Sequence, residues 1–151
     1  MSKITRDDAW LISRLDHLWS NYFSDIQQKN KVFIKFGRAA KFRFGSIRLE
    51  PKTKASVIVI NGNFRSPEVP QEVVDHTIAH ELVHYTHGFS SPLAQKHDHP
   101  HKGGVIDKEM ISRGLGHLIK AYKDWLREYK KTLKQTVRRR RVRRLIKIRW
   151  I

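Results

Sequence analysis

His80-Glu81-Leu82-Val83-His84 is the stretch whose residue types and spacing can do chemistry. On a helix, residues four apart lie one above the other on the same face. Two imidazoles at that spacing can reach one metal ion. Glu81, one residue round from the first histidine, is near enough to take a proton from a water held there. Two nitrogen ligands and a carboxylate base in this order suit zinc-assisted hydrolysis of an amide. They suit it better than they suit a metal-dependent nuclease.

The ladder of histidines offers more than one pair. His76 stands four residues before His80, and His87 three after His84. Only the His80/His84 pair has a glutamate in the slot after its first member, so Glu81 selects it as metal ligands. A catalytic zinc needs a third protein ligand and an open position. The polar loop from Ser90 to Lys102 offers His97, His99 and His101. His101 is favoured because it lies just before a helix whose packing can fix its orientation. Asp98 or Asp107 could hold the far ring nitrogen of a ligand. Tyr85 or a loop group could stabilise an oxyanion. The edge of the Val57–Ile60 strand could pair with an extended peptide.

The elements that must position these residues follow from periodicity. Thr5-Arg6-Asp7-Asp8 has capping-box spacing. Leu11, Leu15, Leu18 and Tyr22 then recur at helical intervals, predicting a helix over 7–28. Val32–Phe36, Lys41–Gly45, Ser46–Glu50 and Ala55–Ile60 read as three or four antiparallel strands. Pro67 and Pro70 precede a helix over 71–87, with Val74, Ile78, Leu82 and Tyr85 as its core stripe and Gly88 as its C-terminal stop. A short helix over 103–113 follows. A last helix over 117–135 buries Leu118, Tyr122, Trp125, Leu126, Tyr129 and Leu133. The fold class is α+β: an N-terminal helix, a small sheet, the H-E-x-x-H helix, C-terminal helices and a basic tail. The division is a catalytic domain over 1–135 and a tail over 136–151.

Charge is distributed unevenly. The 151 residues carry a net charge of +17. Residues 1–118 hold 17 basic and 12 acidic side chains, and residues 119–151 hold 14 and 2. About two-thirds of the net charge thus sits in the last fifth of the chain. Such a block suits a polyanionic partner. The nucleic-acid contacts expected are Arg138, Arg139, Arg140, Arg141, Arg143, Arg144, Lys147 and Arg149. Ile146, Ile148 and Trp150 alternate with cations, which suits a strand better than a membrane-surface helix. There is no cysteine, hence no disulfide or Cys-based zinc ribbon. Neither a secretory signal nor a bilayer-spanning apolar run is evident. The expectation is a cytoplasmic monomer associated with nucleic acid or the nucleoid.

Over roughly residues 8–118 the chain resembles the SprT-like zinc metallopeptidases. The likeness rests on the order of an N-terminal helix, Phe36-Gly37-Arg38, Phe44-Gly45-Ser46-Ile47, the Val57-Ile58-Val59-Ile60-Asn61 strand, His80-Glu81-Leu82-Val83-His84 and a downstream histidine before a short helix. That family places its third ligand in an H-G-x-x-F-like segment. The nearest counterpart here is His101-Lys102-Gly103-Gly104-Val105. The resemblance implies a minigluzincin-like fold, zinc-dependent endopeptidase activity and, as in several members, action on proteins crosslinked to DNA. Many members bind DNA through a Cys-based ribbon; here the basic tail would take its place. The competing expectation is a basic nucleic-acid- or ribosome-binding module whose metal site is structural or vestigial.

Overall fold

The computed structural model describes residues 5–149, with side chains described over residues 5–142. Four helices and a three-stranded sheet form an α+β fold: α1 (Asp8–Tyr22), β1 (Val32–Phe36), β2 (Gly45–Leu49), β3 (Ser56–Ile60), α2 (Gln71–Thr86), α3 (Val105–Ser112) and α4 (Gly116–Arg149). Short 3-10 turns precede α2 and α3 at Gly62–Arg65 and Lys102–Gly104. None of the described helices is long and apolar enough to cross a membrane.

The sheet is mixed, with order β1-β3-β2, rather than antiparallel as expected. β3 is central, parallel to β1 and antiparallel to β2, with Ile34, Ile58 and Ile47 in one row. The reason lies in residues 37–44, which arch over the end of β3. Gly37 N–H donates to the Ile60 carbonyl and Asn61 N–H to that of Phe44, both at 2.8 Å. The chain therefore leaves β1 and enters β2 at the same end of β3. Lys41–Gly45 was expected to be a strand, but up to Phe44 it belongs to this arch. Buried Asn61 holds it: the side-chain amide donates to the Ala40 and Arg43 carbonyls at 2.7 and 3.1 Å. Those backbone groups are satisfied by a side chain instead of a neighbouring strand.

Helix α1 differs from expectation at both ends. Asp7, not Thr5, is its N-cap, accepting from Trp10 N–H at 2.8 Å. Asp8 instead accepts from Phe36 N–H at 3.0 Å, tying α1 to β1. The helix stops at Tyr22, not Gln28, because buried Phe23 turns into the core and Arg113 from the end of α3 donates to the Tyr22 carbonyl at 2.9 Å.

Helix α2 is the central element. It is buried nearly all round and packs on α1, α3, α4, β2 and β3. Arg14 of α1 grips buried Asp75 of α2 through two hydrogen bonds of 2.9 and 2.7 Å. Two bonds in a planar fork fix the angle between the helices better than one could.

Helix α4 passes the 135/136 boundary without a break and runs to Arg149. Beyond Gly116 it contains neither Gly nor Pro and is rich in Arg, Lys and Leu, all good helix formers. Of the alternating residues expected as a strand, Ile146 to Arg149 are helical; a lone strand would leave its backbone groups unpaired. Trp150 and Ile151, and the side chains of Arg143, Arg144, Lys147 and Arg149, lie outside the described residues.

Candidate metal centre

Helix α2 ends where the site begins. Gly88 adopts φ +82°, its N–H donates to the Tyr85 carbonyl at 3.1 Å, and Phe89 N–H donates to that of His84 at 2.9 Å. This pair of bonds is a Schellman stop, which needs a left-handed residue at Gly88. It satisfies the backbone of His84 and sets the Phe89 ring perpendicular to the His84 imidazole, 6.3 Å away.

Of the three loop histidines, His101 is the one that reaches His80 and His84. One ring nitrogen from each of the three lies within 4.8 Å of the other two. The Nε2 atoms of His80 and His84 are 3.1 Å apart. Tetrahedral zinc with Zn–N of about 2.0–2.1 Å separates its ligand nitrogens by about 3.3 Å, so these rings need only a small adjustment. His101 meets the His84 ring at right angles, centroids 4.7 Å apart. Left-handed Gly103 and Gly104 turn the chain from His101 directly into α3. Burial pushes His80 down to about 4 and His84 down to about 3, with neighbouring imidazoles adding to the effect. Both rings are therefore neutral near pH 7 and have lone pairs to give. The residues fit a metal ion.

The remaining histidines lie elsewhere. His76 stacks on Tyr122 of α4, with centroids 4.2 Å and planes 6° apart. Buried His87 faces Glu109 of α3 at 3.2 Å and packs against His97. His99 is exposed. Among the described residues, neither Asp98 nor Asp107 hydrogen-bonds His80, His84 or His101, and buried His84 Nδ1 has no partner.

Glu81 is buried beneath Gly45 of β2. A Cβ on Gly45 would come within 2.6 Å of the Thr77 methyl and 3.2 Å of Glu81 Oε1, so only glycine lets the strand approach this closely. Burial pushes the Glu81 carboxyl up to about 7, opposed by the positive charge of Arg43. A cation at the three imidazoles would pull it back down. Two clefts, of about 240 and 420 Å³, flank Glu81; Arg43, Gly45 and His80 line both. Arg43 lies in the Lys41–Gly45 segment expected to be a strand, where spacing alone gives it no role at the site. The signal available was Asn61, at the end of β3, whose side chain holds the Arg43 carbonyl.

Two expected roles are corrected. Tyr85 cannot serve the site: it is fully buried on the core side, and its hydroxyl donates to Asn30 at 2.7 Å. The Val57–Ile60 strand has no free edge, because β3 is paired on both sides. The open edge beside the site belongs to β2. Asn61–Phe44 and Glu50–Ala55 are hydrogen-bonded pairs. By antiparallel alternation, Gly45, Ile47 and Leu49 turn their backbone groups away from β3. Of these, the Ile47 carbonyl accepts from Ser90 Oγ at 3.3 Å.

No family model, curated protein or solved structure matches this chain.

Proposed function

We infer that the chain is a zinc-dependent endopeptidase of the SprT-like kind, brought to nucleic acid by its basic C-terminal helix and acting on DNA-bound or DNA-crosslinked proteins. The observation behind the peptidase reading is a set of three imidazoles converging beside a buried glutamate and an open strand edge. His80, His84 and His101 would hold the ion. When bound, zinc polarises a carbonyl and makes a water easier to deprotonate.

This chain's own groups supply the rest. Glu81 takes the proton from the attacking water and returns it to the leaving amine. Burial raises its carboxyl and a bound cation would lower it again, which keeps the carboxylate in place to accept the water's proton. An extended peptide pairs with the outward N–H and carbonyl of Gly45 and the N–H of Ile47. Arg43, between the two clefts, is placed to donate to the peptide carbonyl as it gains charge.

The alternative, a binding module with a structural metal, has less support. A structural zinc takes four protein ligands, whereas the group found among the described residues has three.

The test uses the zinc-loaded full chain and an unfolded protein, either free or crosslinked to a DNA oligonucleotide. Cleavage is expected for both and faster for the crosslinked form. A zinc chelator should abolish it and added zinc restore it. Equal rates on the two substrates would remove the nucleic-acid part of the reading; cleavage indifferent to the chelator would remove the metal part.

A further inference from the structure

A further concave surface, of about 770 Å³, lies between the arch over β3 and the distal half of α4. Leu133 and Val137 are among its apolar lining. Phe42 stands at one wall, 60% exposed. Phe42 and half-exposed Val137 line the surface together with Leu133, and an exposed apolar patch rimmed by polar side chains marks an interaction site.

The surroundings are one-signed. Lys41, Lys130, Lys134, Arg138, Arg140 and Arg141 all border the groove, and no acidic residue does. Among the described residues, none of the six pairs with a carboxylate; the carboxylates of this stretch of α4 bond elsewhere, Glu128 to Lys131 and Asp124 to Arg127. Lys130, Lys134 and Arg138 are four apart, so they form one stripe along the helix.

The groove is built rather than incidental. Tyr129 Oη donates to the Lys41 carbonyl at 2.6 Å, clamping the arch to α4. The Tyr129 ring meets Phe42 edge-on at 6.3 Å and stacks on Trp125 at 4.8 Å. Trp125 in turn meets buried Phe64. Phe42 is thus the exposed end of an aromatic row rooted in the core.

We propose that this groove binds a single strand of nucleic acid, with a base stacked on Phe42 and the phosphates along the Lys130–Arg138 stripe. Charge complementarity selects a polyanion. An open aromatic face selects unpaired bases, which stack on such platforms whatever their sequence; bases within a duplex cannot. The proposal rests on the nucleic-acid part of the reading above and gives it a location. Phe42 also lines the smaller cleft beside Glu81. A polypeptide attached to a strand in the groove is therefore delivered beside the metal centre.

The experiment measures binding by the full chain and does not depend on cleavage. The probes are fluorescein-labelled oligothymidylate, an abasic strand of equal length and a duplex. The wild type should prefer the thymidylate to both others. Phe42→Ala should lower thymidylate affinity about 5- to 150-fold, leave abasic affinity unchanged and keep the salt slope. Phe42→Trp should retain the preference, which separates lost stacking from a disturbed fold. Lys134→Gln with Arg138→Gln should weaken all three probes and flatten the slope of log affinity against log salt by about 0.7 per cation on the single strand. Equal affinity of the wild type for thymidylate and abasic strands, or no effect of Phe42→Ala, overturns the groove. If binding is then lost only on changing Arg143, Arg144, Lys147 and Arg149 to Gln, recruitment stands and the groove does not. If the wild type binds none of the probes, both fall.

Discussion

Gly45→Ala separates close approach from every other use of glycine. Gly45 has no left-handed backbone angle, so conformational freedom does not explain it. In a strand, alanine for glycine should be neutral or favourable. The space is what forbids it: the new Cβ would stand 2.6 Å from the Thr77 methyl and 3.2 Å from Glu81 Oε1. Carbon atoms rest at about 3.5–4.0 Å, so strand and helix must part by about 1 Å. A misplacement of that size at a reacting group costs about 10²-fold in rate. Zinc content should not change, because the three atoms nearest the new methyl group belong to Thr77 and Glu81, not to His80, His84 or His101. The assay is kcat/KM on an unfolded protein, with zinc stoichiometry and urea denaturation run in parallel. Gly116→Ala is the control: its nearest neighbour is an Ile111 side-chain carbon at 4.0 Å. Cleavage by Gly45→Ala at the wild-type rate would refute this, as would a loss equal to that of Gly116→Ala.

Three more outcomes are expected. Burial, aided by Lys123, pushes His76 down to about 4 from its ordinary 6.5. The unfolded chain therefore binds a proton that the folded one refuses, and stability falls as pH drops from about 6.5 to about 4. Folding free energy from urea melts at pH 7.5 and 5 should fall by about 2 kcal/mol less in His76→Phe, which keeps a ring on Tyr122 but cannot titrate; an equal fall in both would refute this. Gly88→Ala forces a methyl group into the left-handed region and to 2.6 Å from the Ala94 backbone. It should cost at least about 1–2 kcal/mol in urea denaturation and weaken zinc binding through His84. Finally, metal analysis should find zinc lost from His101→Ala and retained by His97→Ala and His99→Ala; retention by all three would remove the three-imidazole site.

The α+β class and the helix that carries His80 and His84 were legible because each rests on local periodicity. The Val74, Ile78, Leu82 and Tyr85 stripe places the core side of α2, and His80 with His84 then fall on a neighbouring face. Gly88 as the stop was legible because a single residue type marks the turn. Strand direction was not, since it depends on the Asn61 side chain holding the arch, a contact across some twenty residues. The length of α4 was misjudged because the end of its buried face was read as the end of the helix. Arg43 was hidden for the same reason as the sheet order: its position comes from tertiary contacts, not from spacing.

The central claim, that Glu81 is the base of a metal-dependent peptidase, is tested most directly by comparing wild type and Glu81→Gln at equal bound zinc. Both should carry one zinc per chain, because the substitution touches no ligand and keeps the shape of the side chain. The wild type should cleave an unfolded protein and the variant should not, within the sensitivity of a gel assay. Cleavage by Glu81→Gln at the wild-type rate would contradict the account, as would no cleavage by a fully zinc-loaded wild type on either free or DNA-linked substrate.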